Sequence, residues 1–158
     1  GQIRIVGFAK GAAMIGPNMA TMLAFILTDA VAPADELANN IKRAVDRSFH
    51  SISVEGHTST NDSVILLANG ASGASAQGAG KAFASALDEV AMDLAMAIVD
   101  DAEEATHRLT IDVVGTRTEA EARLIAKAVA DSPLVKTAVF GNDPNWGRIC
   151  SAAGYSGV

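Results

Sequence analysis

The sequence has little of several things that proteins commonly use for chemistry or for stapling a fold. It has one cysteine in 158 residues, Cys150, so no internal disulfide and no thiolate metal cluster can form. That usage fits a reducing compartment, and a cytoplasmic location is expected. Aromatic residues make up only 4% of a chain that is 49% hydrophobic, so the core should be aliphatic, built mainly from Ala, Val, Ile and Leu. Twelve Lys and Arg against eighteen Asp and Glu give a formal charge of −6 and leave no basic surface for a phosphate backbone, which argues against nucleic acid as a partner. No apolar run approaches the roughly 20 residues that span a bilayer, and residues 1–5 lack the regions of a signal peptide. No membrane association is expected.

What is present reads as alternating strands and helices. Residues 3–7 form a β-branched segment, followed by a glycine-rich loop over 7–16. The apolar run 22–27 reads as a buried strand. Asp35 is placed to cap a helix in which Leu37, Ile41, Ala44, Val45 and Phe49 recur at helical spacing. Strands are expected at 51–54 and 63–69 around a polar segment, 55–62. The longest helix is marked by Phe83, Leu87, Val90, Ala91, Leu94 and Ile98. Alternation over 109–114 predicts a half-buried strand, followed by a helix over 118–130, a strand over 135–140, a polar loop over 141–148 and a short helix over 149–153. The fold class is therefore α/β, a mixed layered domain. No linker divides the chain, and its abrupt ends suggest a piece of something longer.

The usual catalytic kits are missing as well. There is no Gly-x-Ser-x-Gly elbow, no His-Glu-x-x-His helix and no Cys-x-x-Cys pair, and the three histidines, His50, His57 and His107, are scattered. The stretch from Gly73 to Lys81 lies where a phosphate loop would sit, but Ser75 and Ala82 occupy positions that need Gly and Ser or Thr. It reads as a connector. Asn61-Asp62-Ser63 matches a glycosylation sequon without any secretion signal to give it weight. Cys150 reads as inert packing. Trp146 reads as a pocket lid or as packing, and Arg148 as an anion binder or a structural partner; the structural reading is favoured for both.

What remains is Lys10-Gly11-Ala12-Ala13-Met14-Ile15-Gly16-Pro17-Asn18-Met19-Ala20-Thr21-Met22-Leu23-Ala24-Phe25. This stretch resembles the self-cleavage region of the glutamate N-acetyltransferase family, also called bifunctional ornithine acetyltransferase, with its pattern close to Lys-Gly-Ser-Gly-Met-Ile-x-Pro-Asn-Met-Ala-Thr-Met-Leu-Ala-Phe. Two further segments are similar to the same family in the same order: Thr58-Ser59-Thr60-Asn61-Asp62, and the loop Gly141-Asn142-Asp143-Pro144-Asn145-Trp146-Gly147-Arg148. With Asp101 to Thr106, these anchors run across nearly the whole chain.

The resemblance implies part of an αββα sandwich like that of N-terminal nucleophile hydrolases, with cleavage between Ala20 and Thr21. It implies acetyl transfer from N-acetylornithine to glutamate through Thr21, in the service of arginine biosynthesis and without a cofactor. Its chemistry can be reasoned independently. An internal threonine hydroxyl is a weak nucleophile, but cleavage gives Thr21 its own α-amine, whose ordinary pKa of about 7.7 to 8.0 lets it act as a base near neutrality. Lys10 matches the family's substrate-binding lysine and could pair with an amino acid carboxylate. Glu103 matches its substrate-binding glutamate, with a solvated acid at a helix end as the other reading. Ala102 and Glu104 stand where the family motif has glycine, so a positive φ at either would be strained. Ala12 and Ala13 replace Ser and Gly, and Glu55 and His57 replace two aspartates. The implied partners are small-molecule substrates, with association either between copies of the chain or with the other parts of the enzyme. The family's oxyanion hole comes from a Thr-Gly element outside this segment, so no turnover is expected from this segment alone. Two rivals are a related self-processing amidase or peptidase and a non-catalytic, unprocessed module.

Overall fold

The computed structural model describes residues 1–13, 15, 22–57 and 61–158. Three strands form one sheet in the order β1 (Ile5–Lys10), β2 (Leu23–Thr28), β3 (Ser63–Ala68). β1 runs antiparallel to β2, and β2 runs parallel to β3. A parallel pair needs a crossover, which helix α1 (Ala34–Arg47) provides. The expected strand after 22 and the strand before 69 are thus both present. The first strand is shifted toward Lys10 and takes in part of the stretch read as loop.

The pleat decides which residues are buried. Ala24, Ile26 and Thr28 point inward and are at most 5% exposed. Val64 and Leu66 on β3, and Ile5 and Ala9 on β1, pack against the same core. The long helix α3 (Lys81–Asp100) lies across β1, and its Phe83, Leu87, Ala91, Ala95 and Ile98 are buried at the spacing expected of one helix face. Gly7 permits the close approach: a Cβ there would stand 2.7 Å from Leu94 Cδ1 and 3.2 Å from Val90 Cγ1. Helix α1 packs beside α3, where Asp88 takes Arg43 at 3.0 Å and Arg47 at 3.3 Å.

The opposite face of the sheet carries two apolar rows, Val6–Leu27–Leu67 and Phe8–Phe25–Ile65, with the Phe8 and Phe25 rings stacked at 5.3 Å. Val6 and Phe8 are each 58% exposed and Leu67 is 51% exposed, so among the described residues nothing covers this face. A mixed α/β fold with helices on one side of a sheet is what the chain contains. The second sheet of a sandwich is not among the described residues.

Several expectations need correction. Residues 51–54 are not a strand: a 3₁₀ turn at Phe49–Ser51 is followed by irregular chain. Asp35 is not the cap of α1, which starts after Pro33, but an acid in its first turn, where it favours the helix dipole. Residues 109–114 have no regular secondary structure and pair with no strand among the described residues, and Val114 is 90% exposed. Residues 135–140 are helical, within α5 (Pro133–Phe140): Ser132 caps it through Val135 N–H, and Pro133 opens it with its fixed φ. The helix expected over 149–153 is α6 (Trp146–Gly154), so the last three residues of the polar loop belong to it, capped by Asn145 through Arg148 N–H at 3.2 Å.

The connector over 73–81 holds helix α2 (Ala76–Ala79), capped by Ser75. It is pinned rather than loose: Val31 N donates to Ala74 O and Ala76 N to Val31 O. Helix α4 (Glu119–Ala130) begins at Thr118, whose Oγ1 accepts from Glu121 N, while the Glu121 side chain reaches back to accept from Arg117 N. Helices α4, α5 and α6 close a small second core of Val129, Val135 and Ala152, to which Ile111 adds its side chain.

Candidate functional site

The register of the sheet brings the sequence anchors to one end. Lys10, the last residue of β1, lies opposite Leu23, the first of β2, and Leu23 lies opposite Ser63, the first of β3. Because β1 is antiparallel to β2 while β3 is parallel to it, the end of one strand and the beginnings of two others fall in a single row. Lys10, Met22 and Asp62 therefore meet at one edge. Ala20 and Thr21, the expected cleavage and nucleophile residues, lie outside the described residues, as do Thr58, Ser59 and Thr60.

Asp62 continues the ladder one step past the end of the strands. Ser63 N donates to Met22 O at 3.0 Å, and Met22 N donates to Asp62 Oδ1 at 2.6 Å. A side-chain carboxylate thus does what the next backbone carbonyl would do. Its other oxygen, Oδ2, is buried and accepts no hydrogen bond from the described residues; Glu55 Oε1 is the other such oxygen among the described side chains. Burial raises the Asp62 carboxyl above its ordinary pKa, against the opposing pull of the Met22 N–H and the Lys10 ammonium.

The second piece of the site comes from the far end of α3. Glu103 N donates to Ala12 O at 2.8 Å, tying the turn after α3 to the loop after Lys10. The segments carrying Lys10 and Glu103 are therefore adjacent. An open cavity of about 640 Å³ lies between them, lined by Lys10, Gly11 and Ala12 on one side and Leu94, Ile98 and Asp101 on the other. Its wall is apolar between a cation and an anion, an arrangement that suits a small zwitterion. Glu104, one of the two residues replacing motif glycines, has φ +57, while Ala102 is buried with an ordinary φ. The strain expected from the substitutions falls on Glu104 alone.

Sequence reasoning missed two residues. Asp62 was visible only as part of a motif and a sequon, and nothing local marked it as a ladder partner 40 residues from Met22. Asp101 was visible only as the first residue of the Asp101–Thr106 anchor, and α3 brings it to the cavity. Elsewhere the placements are structural. Arg148 donates to Leu134 O and Thr137 Oγ1, joining α6 to α5. Trp146 is 77% exposed, so it does not serve as packing among the described residues. Cys150, expected in packing, is exposed on α6 because the buried side of that helix belongs to Ala152. No helix among the described residues is long and apolar enough to cross a membrane.

Comparison with known proteins places this geometry in a family. The ArgJ family model matches residues 1–158. The chain is 52% identical over 155 residues to the arginine biosynthesis bifunctional protein ArgJ of Thermus thermophilus, covering 98% of this chain and 40% of that protein. It is 52% identical over 158 residues to the glutamate N-acetyltransferase of Methanocaldococcus jannaschii, covering 99% of this chain and 39% of that one. The crystal structure of ArgJ from Bacillus halodurans superposes with a TM-score of 0.80 at 38% identity, over 84% of this chain and 64% of that one. The chain spans about 40% of the length of the curated relatives named here. With the family model matching throughout and the fold agreeing at this level, the chain belongs to the ArgJ family.

Proposed function

We propose that this chain is the central segment of an acyltransferase that moves an acetyl group from N-acetylornithine to glutamate, with Thr21 as nucleophile. The observation that carries the proposal is the convergence at one sheet edge of Lys10, the residue following Thr21, and the turn bearing Glu103, beside an open cavity. Peptide cleavage between Ala20 and Thr21 exposes the Thr21 α-amine. That amine takes the hydroxyl proton as Oγ attacks the acetyl carbonyl, and returns it to the departing ornithine amine. Glutamate then accepts the acetyl group, a ping-pong sequence. Lys10 holds the α-carboxylate of the bound amino acid, and Glu103 or its neighbour Asp101 attracts the ammonium.

In this reading residues 1–20 end a first chain and 21–158 begin a second. The uncovered apolar face of the sheet supports a working enzyme that includes further polypeptide, and the segment alone is expected to be inactive. A reducing interior suits the exposed Cys150; a relative in Schizosaccharomyces pombe carries "mitochondrial" in its name, so either the cytoplasm or an organelle matrix is compatible.

The test is mass spectrometry and acetyl transfer with the full-length protein. Wild type should appear as two chains split before Thr21 and should acetylate glutamate from N-acetylornithine. Thr21→Ala should remain one chain and lose at least about 10³-fold in turnover. Product release without glutamate at an undiminished rate would point instead to an amidase, and splitting in Thr21→Ala would remove Thr21 from its role.

A further inference from the structure

We propose that Asp101 determines donor specificity: its carboxylate, at the C-terminal end of α3, receives the side-chain ammonium of an N-acetylated diamino acid whose own carboxylate is held by Lys10 across the cavity. The inference rests on the acetyl-transfer reading above and deepens it, naming the residue that selects a cationic donor.

Four acids crowd the end of α3, and their surroundings separate them. Asp100 is taken, since Arg108 Nη1 donates to both of its carboxylate oxygens at 2.9 Å. Glu103 and Glu104 are exposed, and neither lines the cavity. Asp101 does line it, and among the described residues its carboxylate has no ion pair or hydrogen bond. It continues the helix face of Leu94, Ala97 and Ile98, which line the same cavity at a spacing of three and four residues. Its backbone N–H donates to Ala97 O at 3.0 Å, and the turn that follows is tied to the loop after Lys10 by Glu103 N–H on Ala12 O at 2.8 Å. The carboxylate and Lys10 therefore belong to segments fixed against each other.

The electrostatics favour a cation at the Asp101 end. The last carbonyls of a helix carry its partial negative charge, and α3 has no basic residue in its last turn to answer it. The carboxylate adds a full charge of the same sign. In N-acetylornithine the α-nitrogen is an amide and carries no charge, so the ammonium at the end of the side chain is the one cation of the donor. Its order of groups, a carboxylate, a run of methylenes and an ammonium, matches the order of Lys10, the apolar wall of Leu94 and Ile98, and Asp101.

The experiment uses the full-length protein with glutamate as acceptor and two donors, N-acetylornithine and N-acetylnorvaline, which has the same carbon chain without the ammonium. Wild type is compared with Asp101→Asn, Asp101→Ser and Glu103→Gln. Asparagine keeps the shape and removes the charge; serine is a second neutral side chain, so the comparison survives if either variant fails to fold. Wild type should prefer N-acetylornithine in kcat/KM by about 100-fold, because a carboxylate left facing a methyl group loses its partner. In the neutral Asp101 variants kcat/KM for N-acetylornithine should fall by about 10-fold to 100-fold while that for N-acetylnorvaline stays within about threefold. A residue that only supported the fold would lower both donors alike, and that outcome overturns the proposal. So does an unchanged preference in a folded Asp101 variant, or a preference that is lost in Glu103→Gln and kept in Asp101→Asn. Wild type that transfers acetyl from neither donor would remove the acetyl-transfer reading itself, whereas wild type that uses both donors equally would leave that reading standing and remove the role of Asp101.

Discussion

The sheet with its two helices and the C-terminal trio of helices sit in one chain but are held by different means. In the first, three strands in fixed register and two helices bury a contiguous aliphatic core that includes Ala24, Ile26, Leu87 and Ala91 with no accessible surface. In the second, the core is Val129, Val135 and Ala152, and much of the order comes from caps: Thr118 on α4, Ser132 on α5 and Asn145 on α6. The two are joined largely by polar contacts, Ser53 Oγ to Asp131, Lys136 Nζ to Val54 O and Arg123 to Asp46 O. The candidate site belongs wholly to the first region. A large rigid core fixes where strand ends fall, and strand ends are where the site is; the second region can loosen without moving them.

That contrast can be broken by truncating a buried aliphatic in each region of the full-length protein. Ile26→Ala, at a fully buried position in the central strand, should cost about 2 to 5 kcal/mol and bring down activity with stability, because β2 carries Met22 and Leu23. Val135→Ala should cost about 1.5 kcal/mol for the two methyl groups removed and leave kcat within twofold at a temperature where the protein stays folded. Urea unfolding gives both stabilities, and acetyl transfer gives both activities. Equal loss of activity in the two variants would mean that the C-terminal helices help to shape the site.

A smaller effect sharpens the same point. Thr118 accepts from Glu121 N at 3.2 Å, and replacing it by Ala should cost about 1 kcal/mol by leaving an end N–H of α4 unpaired. The loss should appear in thermal unfolding and as faster amide exchange confined to α4. Exchange that also accelerated in β2 would show the two regions to be one cooperative unit.

How far the sequence could be read follows the same division. Apolar runs bounded by polar segments made β2 and β3 legible, and the 3.6-residue spacing did the same for α1 and α3, because each of these elements lies against a large core. The strand expected over 135–140 failed for a physical reason: Val135, Ala138 and Val139 are as apolar as a buried strand, and the information that decides for a helix lies just outside, in Ser132 and Pro133. Residues 109–114 do alternate, yet a strand also needs a partner, which pattern alone cannot supply. At the site, Lys10 and Glu103 were singled out by motifs, which mark a residue by its own side chain. Asp62 was not, since its significance comes from lying opposite Met22 in a parallel pair, a relation set by register across 40 residues.

The smallest expected effect concerns the turn that joins α3 to the site. Glu104 is held at φ +57, a conformation that costs an ordinary L-residue about 1 to 2 kcal/mol and glycine almost nothing. Glycine brings its own cost of about 0.5 to 1 kcal/mol through the greater freedom of the unfolded chain. Glu104→Gly should therefore stabilise the protein by a net amount of about 0.5 to 1 kcal/mol. The preceding residue, Glu103, anchors to Ala12 O through its backbone N–H, so relaxing φ at 104 should leave that contact and the adjacent cavity in place. Stability measured by urea unfolding should rise while KM for N-acetylornithine stays within twofold. A rise in KM of tenfold or more would mean that the strained turn is part of how the cavity is shaped, and that the sheet layer shares control of the site with the end of α3.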